Sequence, residues 1–288
     1  MIDAFEPAFM QRALVAGLLA VIATSLVGTW VVLRGLAFLG DALAHGVIPG
    51  IALAVLWGFN PIFGALAAAA IMSGMVTVVS SRSSIREDTG IGLLFVGMLS
   101  LGIVIVSKAR SFATEVTSLL FGDILGVTRE DIMGQLIATA IVIVATVVLY
   151  RPFLALTFNS LKAQSLGMQP RLAHLAMMVL LALSIVSSFQ AVGTLLVFGL
   201  LVGPPATASL VTRRIPAMMV TSALFGSVAV IVGLAISFHT GTAGGATMAG
   251  LSVAQFFIVL AVTEAASFLR EPPLRGASAD PITPGTSS

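Results

Sequence analysis

Apolar residues run along this chain in long blocks separated by short polar breaks. The blocks cover 13–33, 36–57, 61–80, 91–107, 132–150, 175–189, 192–212, 218–238 and 251–269. A helix needs about 20 mostly apolar residues to cross a bilayer. The pattern therefore predicts eight or nine spans, with 175–189 short and its boundary with the next block open. The period-two alternation of a membrane barrel is missing, so the spans are helices. The expected fold is an all-α polytopic transmembrane bundle over residues 1–270. The remainder, 271–288, is rich in Pro, Ser, Gly and Thr and is expected to be a disordered cytoplasmic tail.

Composition agrees with this pattern. Charged residues make up 9% of the chain, against about a quarter in soluble domains. The lipid bilayer is thus the main solvent. With no cysteine, disulfides, thiolate metal sites and cysteine nucleophiles are excluded. A net charge of +2 gives no reason to expect nucleic acid as a partner. Asp3 and Glu6 stand where a signal peptide would be basic, so the first block is expected to remain as a span. Ten of the fourteen basic residues fall on one set of loops: Arg34, Arg82, Arg86, Arg151, Lys162, Arg171, Arg213, Arg214, Arg270 and Arg275. By the positive-inside rule that side is cytoplasmic. With nine spans the N-terminus lies outside.

The chemistry concentrates in FLGDALAHGVIPG, residues 38–50. Asp41 and His45 are four apart, so a helix puts them on one face. An ionisable side chain within a span costs about 2.5–3.5 kcal/mol on insertion scales and points to a transport path. The alternative is a membrane-edge position, where Asp41 caps or hydrates and His45 bonds a carbonyl. Carboxylate and imidazole suit Zn²⁺ or Mn²⁺ better than Cu(I). Two ligands fall short of the four of a closed zinc site, and a twofold dimer would double them. Pro49 and Gly50 predict a helix break just after the pair. A second proline signal is Pro204–Pro205, for which a plain structural kink is at least as good a reading.

Other polar residues carry less. His239, at the outer end of a span, is either a ligand where an ion arrives or a hydrated interfacial histidine. His174 reads as structural. Glu264 either pairs near the inner end of its span or relays protons. The outer stretch SLLFGDILGV, 118–127, is too short to span and too apolar for a plain loop. The inner segment 159–167 has the ends of a short helix: Asn159 as N-cap, Gly167 as the terminating glycine and Pro170 beyond. Ser160, Leu161, Lys162, Ala163 and Leu166 lie between. It is either a connector or a helix that docks into a partner's groove. No phosphate-binding loop is present: the only lysines are Lys108 and Lys162, and neither follows a glycine. If transport is driven by ATP, the ATPase is a separate chain. An ion-gradient carrier using Asp41 and Glu264, and a non-transporting scaffold, remain the rival functions.

Five segments in order carry a family likeness: GDALAHGVIPGIALA (40–54), REDTGIGLLF (86–95), LLFGDILGV (119–127), YRPFLALTFN (150–159) and QAVGTLLVFGLLVGPPATASLVTRR (190–214). Across about 13–269 the chain resembles the membrane permease subunits of bacterial ABC importers for zinc and manganese. The resemblance implies a multi-pass permease of the bacterial cytoplasmic membrane that holds no permanent cofactor and transports Zn²⁺ or Mn²⁺. It implies a homodimeric or pseudo-symmetric assembly with two cytoplasmic ATPase subunits and an extracytoplasmic metal-binding protein. The family's pathway acid and histidine fall on Asp41 and His45. Its coupling helix falls on 159–167, with Ala163 and Gly167 keeping the small-residue spacing. The chain departs in having Ala44 where the family has Ser, and Asn159-Ser160-Leu161 where it often has Asp then Pro-Glu.

Overall fold

A computed structural model of the chain describes residues 5–82, 87–108, 126–158 and 170–270. The 159–167 segment, most of the 118–127 stretch and the 271–288 tail lie outside the described residues. Eleven helices and no strand occur among the described residues: α1 (Ala8–Leu33), α2 (Ala37–Gly46), α3 (Ile48–Leu56), α4 (Pro61–Arg82), α5 (Glu87–Lys108), α6 (Arg129–Val148), α7 (Tyr150–Phe158), α8 (Pro170–Val192), α9 (Thr194–Val211), α10 (Ile215–Thr240) and α11 (Gly244–Arg270).

Among the described residues eight helical stretches are long and apolar enough to cross a membrane, α2 and α3 together forming one of 20 residues. The block expected at 192–212 becomes α9, a helix of 18 residues from Thr194 to Val211. It lies among α1, α2, α8, α10 and α11. The boundary between α8 and α9 is a single glycine, Gly193, with φ of 89°. A residue with a Cβ rarely takes that backbone angle, and it ends α8 where the hydropathy pattern runs on. The expected short span at 175–189 is thereby a full helix of 23 residues.

α1 is the central helix. It packs against α6, α8, α9 and α10, and 67% of its best spanning window is buried, against 17% in α5. Its sequence is apolar all round, as expected of a helix enclosed by others. Lipid tails are as apolar as leucine, so helix association rests on close packing rather than on hydrophobic transfer. Small residues supply that closeness: a Cβ added at Gly17 would lie 2.7 Å from Val230 Cγ1 of α10.

Near the inner end of α1, the buried Trp30 meets Tyr150 and Phe153 edge-on, with ring centroids 5.6 and 5.7 Å away. These contacts anchor α7 beneath the bundle. Arg34 follows on the loop: its Nη1 donates to His174 Nδ1 at 3.2 Å and lies 3.5 Å from Met177 Sδ. His174 is therefore a packing residue of α8, as its sequence position suggested. At the other end, α6 starts three residues ahead of its apolar block. Thr128 Oγ1 accepts from the Asp131 amide, and the Asp131 carboxylate accepts from the Thr128 amide at 2.9 Å. This capping box stabilises the helix start by about 1 kcal/mol.

Candidate functional site

α2 presents a different side chain class to each neighbour. Gly40 faces Leu201 of α9, and Gly46 faces Met72 of α4 so closely that a Cβ there would collide with the thioether. Leu39, Ala42, Leu43 and Ala44 are fully buried. Asp41 and His45 are left on the remaining edge, beside α5. Their side chains keep 28% and 14% of their surface exposed.

The helical spacing brings the two together. His45 Nδ1 lies 3.4 Å from Asp41 Oδ1 and 3.0 Å from the Asp41 carbonyl oxygen. A carbonyl only accepts, so the short contact requires the proton on Nδ1. That leaves the Nε2 lone pair free for a metal ion, the arrangement usual for metal-binding histidines. The ring is held edge-on against Phe95 of α5, centroids 5.4 Å apart, and Phe95 in turn meets Phe38. Phe95 is the residue that sequence reasoning missed. It stands fifty positions from His45 in a uniformly apolar span, and no local signal marks it.

The helix does break after the pair, but at Val47 rather than at Pro49. Val47 closes α2 and opens α3, and Pro49 falls in the first turn of α3. The physical reason lies upstream of the ring. Pro49 lacks the amide that the His45 carbonyl would otherwise receive in a continuous helix, and that carbonyl is met by the Val47 amide instead. In the first turn, by contrast, its missing N–H is no loss. Gly50 does not interrupt anything. It lies inside α3 with its backbone against that of Gly64 on α4, where a Cβ on either glycine would strike the other's carbonyl. α5 crosses the break at Gly102, where an added Cβ would lie 3.3 Å from Pro49 Cδ. An apolar cavity of about 360 Å³ opens beside it, walled by Pro49, Leu53, Phe63, Met98 and Leu101.

The other candidates stand apart from the pair. His239 is exposed at the end of α10, its Nδ1 2.7 Å from the Ala235 carbonyl and its ring edge-on to Phe238. Glu264 is exposed on α11. Among the described residues no group of three or more His, Asp or Glu side chains is assembled. Within one chain, then, Asp41 and His45 offer two ligands. Ala44, where the resemblance expects a hydroxyl, is fully buried in the main core.

Pro204 and Pro205 do not break α9, which continues through them. Pro205 withholds a donor from the Leu201 carbonyl, and α1 covers that carbonyl with Gly28, where any Cβ would clash. This second proline signal is structural.

Comparison with known proteins places this geometry. The model of the ABC 3 transport family matches residues 6–263. The manganese transport system membrane protein MntC of Listeria monocytogenes is 35% identical over 250 residues, covering 87% of this chain and 89% of the relative. The manganese import system permease protein ScaB of Streptococcus parasanguinis is 36% identical over 251 residues, covering 87% and 89%. The solved structure described as PsaBC from Streptococcus pneumoniae in complex with Fab superposes with a TM-score of 0.82 at 32% identity, over 90% of this chain and 94% of that one. A bundle of membrane-spanning helices with a broken second span and a largely buried Asp–His pair thus sits on a family match that takes in nearly all of the helices, and the chain belongs to the ABC 3 transport family as a multi-pass membrane permease subunit.

Proposed function

We propose that this permease carries a divalent transition metal ion inward across the bacterial cytoplasmic membrane, with manganese favoured over zinc, and that Asp41 and His45 hold the ion in transit. The observation that carries the reading is the pair itself. One carboxylate and one imidazole with its Nε2 free share a partly exposed helix edge just before a helix break. Oxygen plus imidazole suits Mn²⁺ and Zn²⁺. The names of the two curated relatives favour manganese.

Two ligands bind loosely, as a transported ion requires. A second copy of the chain would raise the number to four about a twofold axis. The position of the pair supports this: it lies beside α5, the least buried of the eight spans, with Leu93 and Val96 exposed on it. Energy comes from a separate ATPase chain, since this chain has no phosphate-binding loop. The segment 159–167 is the docking helix for that ATPase, and an extracytoplasmic binding protein delivers the ion. Membership of an ABC transport family replaces the gradient-driven alternative, in which Asp41 and Glu264 would relay protons.

The test is uptake by the transporter assembled with its ATPase. Asp41→Ala and His45→Ala should each lower Mn²⁺ uptake at least roughly 10-fold, since even supporting residues of metal sites cost that much. Uptake at the wild-type rate in both variants would remove the pair from the pathway.

A further inference from the structure

A second cavity, of about 370 Å³, lies between α4, α6 and α8, away from the Asp41–His45 edge. Its polar groups gather at one end. Asn60 precedes α4, and Glu130 and Asp131 open α6. Its depth is apolar, walled by Leu66, Ile141 and Val186. Gln135 lies between the two regions. It is 5% exposed, and its Nε2 has no hydrogen-bond partner. A buried amide donor without an acceptor is costly in a bilayer, where no water is at hand.

From Glu130 to Ile141 is eleven residues, or about 16 Å along a helix. That is close to half of a hydrocarbon core of about 30 Å. The cavity therefore reaches from one membrane interface to near the midplane, the depth of one leaflet. Its wall is open sideways, since Ile137 and Ile141 are 55% and 49% exposed. By the distribution of basic residues the polar end is the extracytoplasmic one.

We infer that this cavity is a binding site for one phospholipid with an ammonium headgroup, its acyl chain against Leu66, Ile141 and Val186, an ester carbonyl accepting from Gln135, and its amine at Glu130. Charge selects this occupant. Glu130 is exposed and has no ion-pair partner among the described residues. One Asp131 oxygen accepts from Thr128, and the Asn60 side-chain oxygen accepts from the Ile62 amide at 2.9 Å. Two carboxylates at the mouth favour a cationic amine and disfavour a purely anionic headgroup.

Native mass spectrometry of the full-length chain, released from mixed micelles with equal phosphatidylethanolamine and phosphatidylglycerol, tests this. The wild type should retain phosphatidylethanolamine several-fold over phosphatidylglycerol. Glu130→Gln should bring the two to parity. Gln135→Leu, which keeps the shape and removes the orphan donor, should lower retention of both while leaving the fold intact. Equal retention of both lipids by the wild type would mean annular lipid only and overturn the inference. So would an unchanged preference in both variants, or no retained lipid at all, the sign of a cavity filled by protein.

Discussion

At Val47, two residues before Pro49, the chain ends one helix and starts another, whereas at Pro204 and Pro205 a single helix runs through two prolines. Both sites lack helix donors, and both lie within apolar segments. They differ in what covers the carbonyls left behind. α9 is enclosed by α1, α2, α10 and α11, and Gly28 brings the α1 backbone onto the Leu201 carbonyl. A freed carbonyl enclosed by protein is tolerated, and the helix persists. The junction of α2 and α3 is buried as well, Val47 being 0% exposed, but there the His45 carbonyl is met by the Val47 amide and the chain turns. Whether a span breaks at a proline is therefore decided by what meets the freed carbonyl: the Val47 amide after His45, the backbone of α1 at Leu201.

The largest expected effect tests the covered site. Gly28→Val places side-chain atoms on the Leu201 carbonyl, and overpacking of that kind costs about 3 kcal/mol. Thermal unfolding in detergent should show a clear fall in Tm. An unchanged Tm would mean that α1 does not cover α9 at this point.

Next comes an exchange between the two sites. Pro49→Ala returns a donor to the His45 carbonyl and lets α2 and α3 join. Because Pro49 stands in a first turn, stability should change by less than about 1 kcal/mol, while metal uptake falls. Pro205→Ala should leave uptake near the wild-type rate. If Pro205→Ala proves the more damaging to transport, the roles assigned to the two prolines are reversed. The smallest effect is Phe95→Leu, which removes the edge contact on the imidazole. A loss of about 0.5–1.5 kcal/mol is expected, with weakened Mn²⁺ uptake at low metal and recovery at high metal. Equal uptake at every concentration would show that Phe95 does not position His45.

Much of the bundle is legible from residues alone. Span positions follow from hydropathy, and helix ends from local chemistry. Thr128 with Asp131 is a capping box visible in four letters, though the apolar block hid it by starting later. Gly193 is visible too, yet only its φ of 89° shows that it separates two helices rather than lying inside one. The Asp41–His45 pair follows from spacing, since residues four apart on a helix are neighbours wherever the helix sits. The aromatic wall around His45 does not, because Phe95 is brought to it by the packing of α2 on α5.

What the amino-acid sequence determined by itself is what local pattern sets: all-helical spans, a metal-grade pair on one helical face, a break next to it, and no phosphate-binding loop. What only the tertiary structure decided is which apolar faces meet protein. It put Gly50 against Gly64, closed α1 over Pro205, left Asp41 and His45 on a partly exposed edge and left the Gln135 Nε2 without an acceptor in a cavity. The reason is the solvent. In water a buried face announces itself by being apolar, but in a bilayer lipid-facing and protein-facing surfaces are equally apolar, and only shape tells them apart.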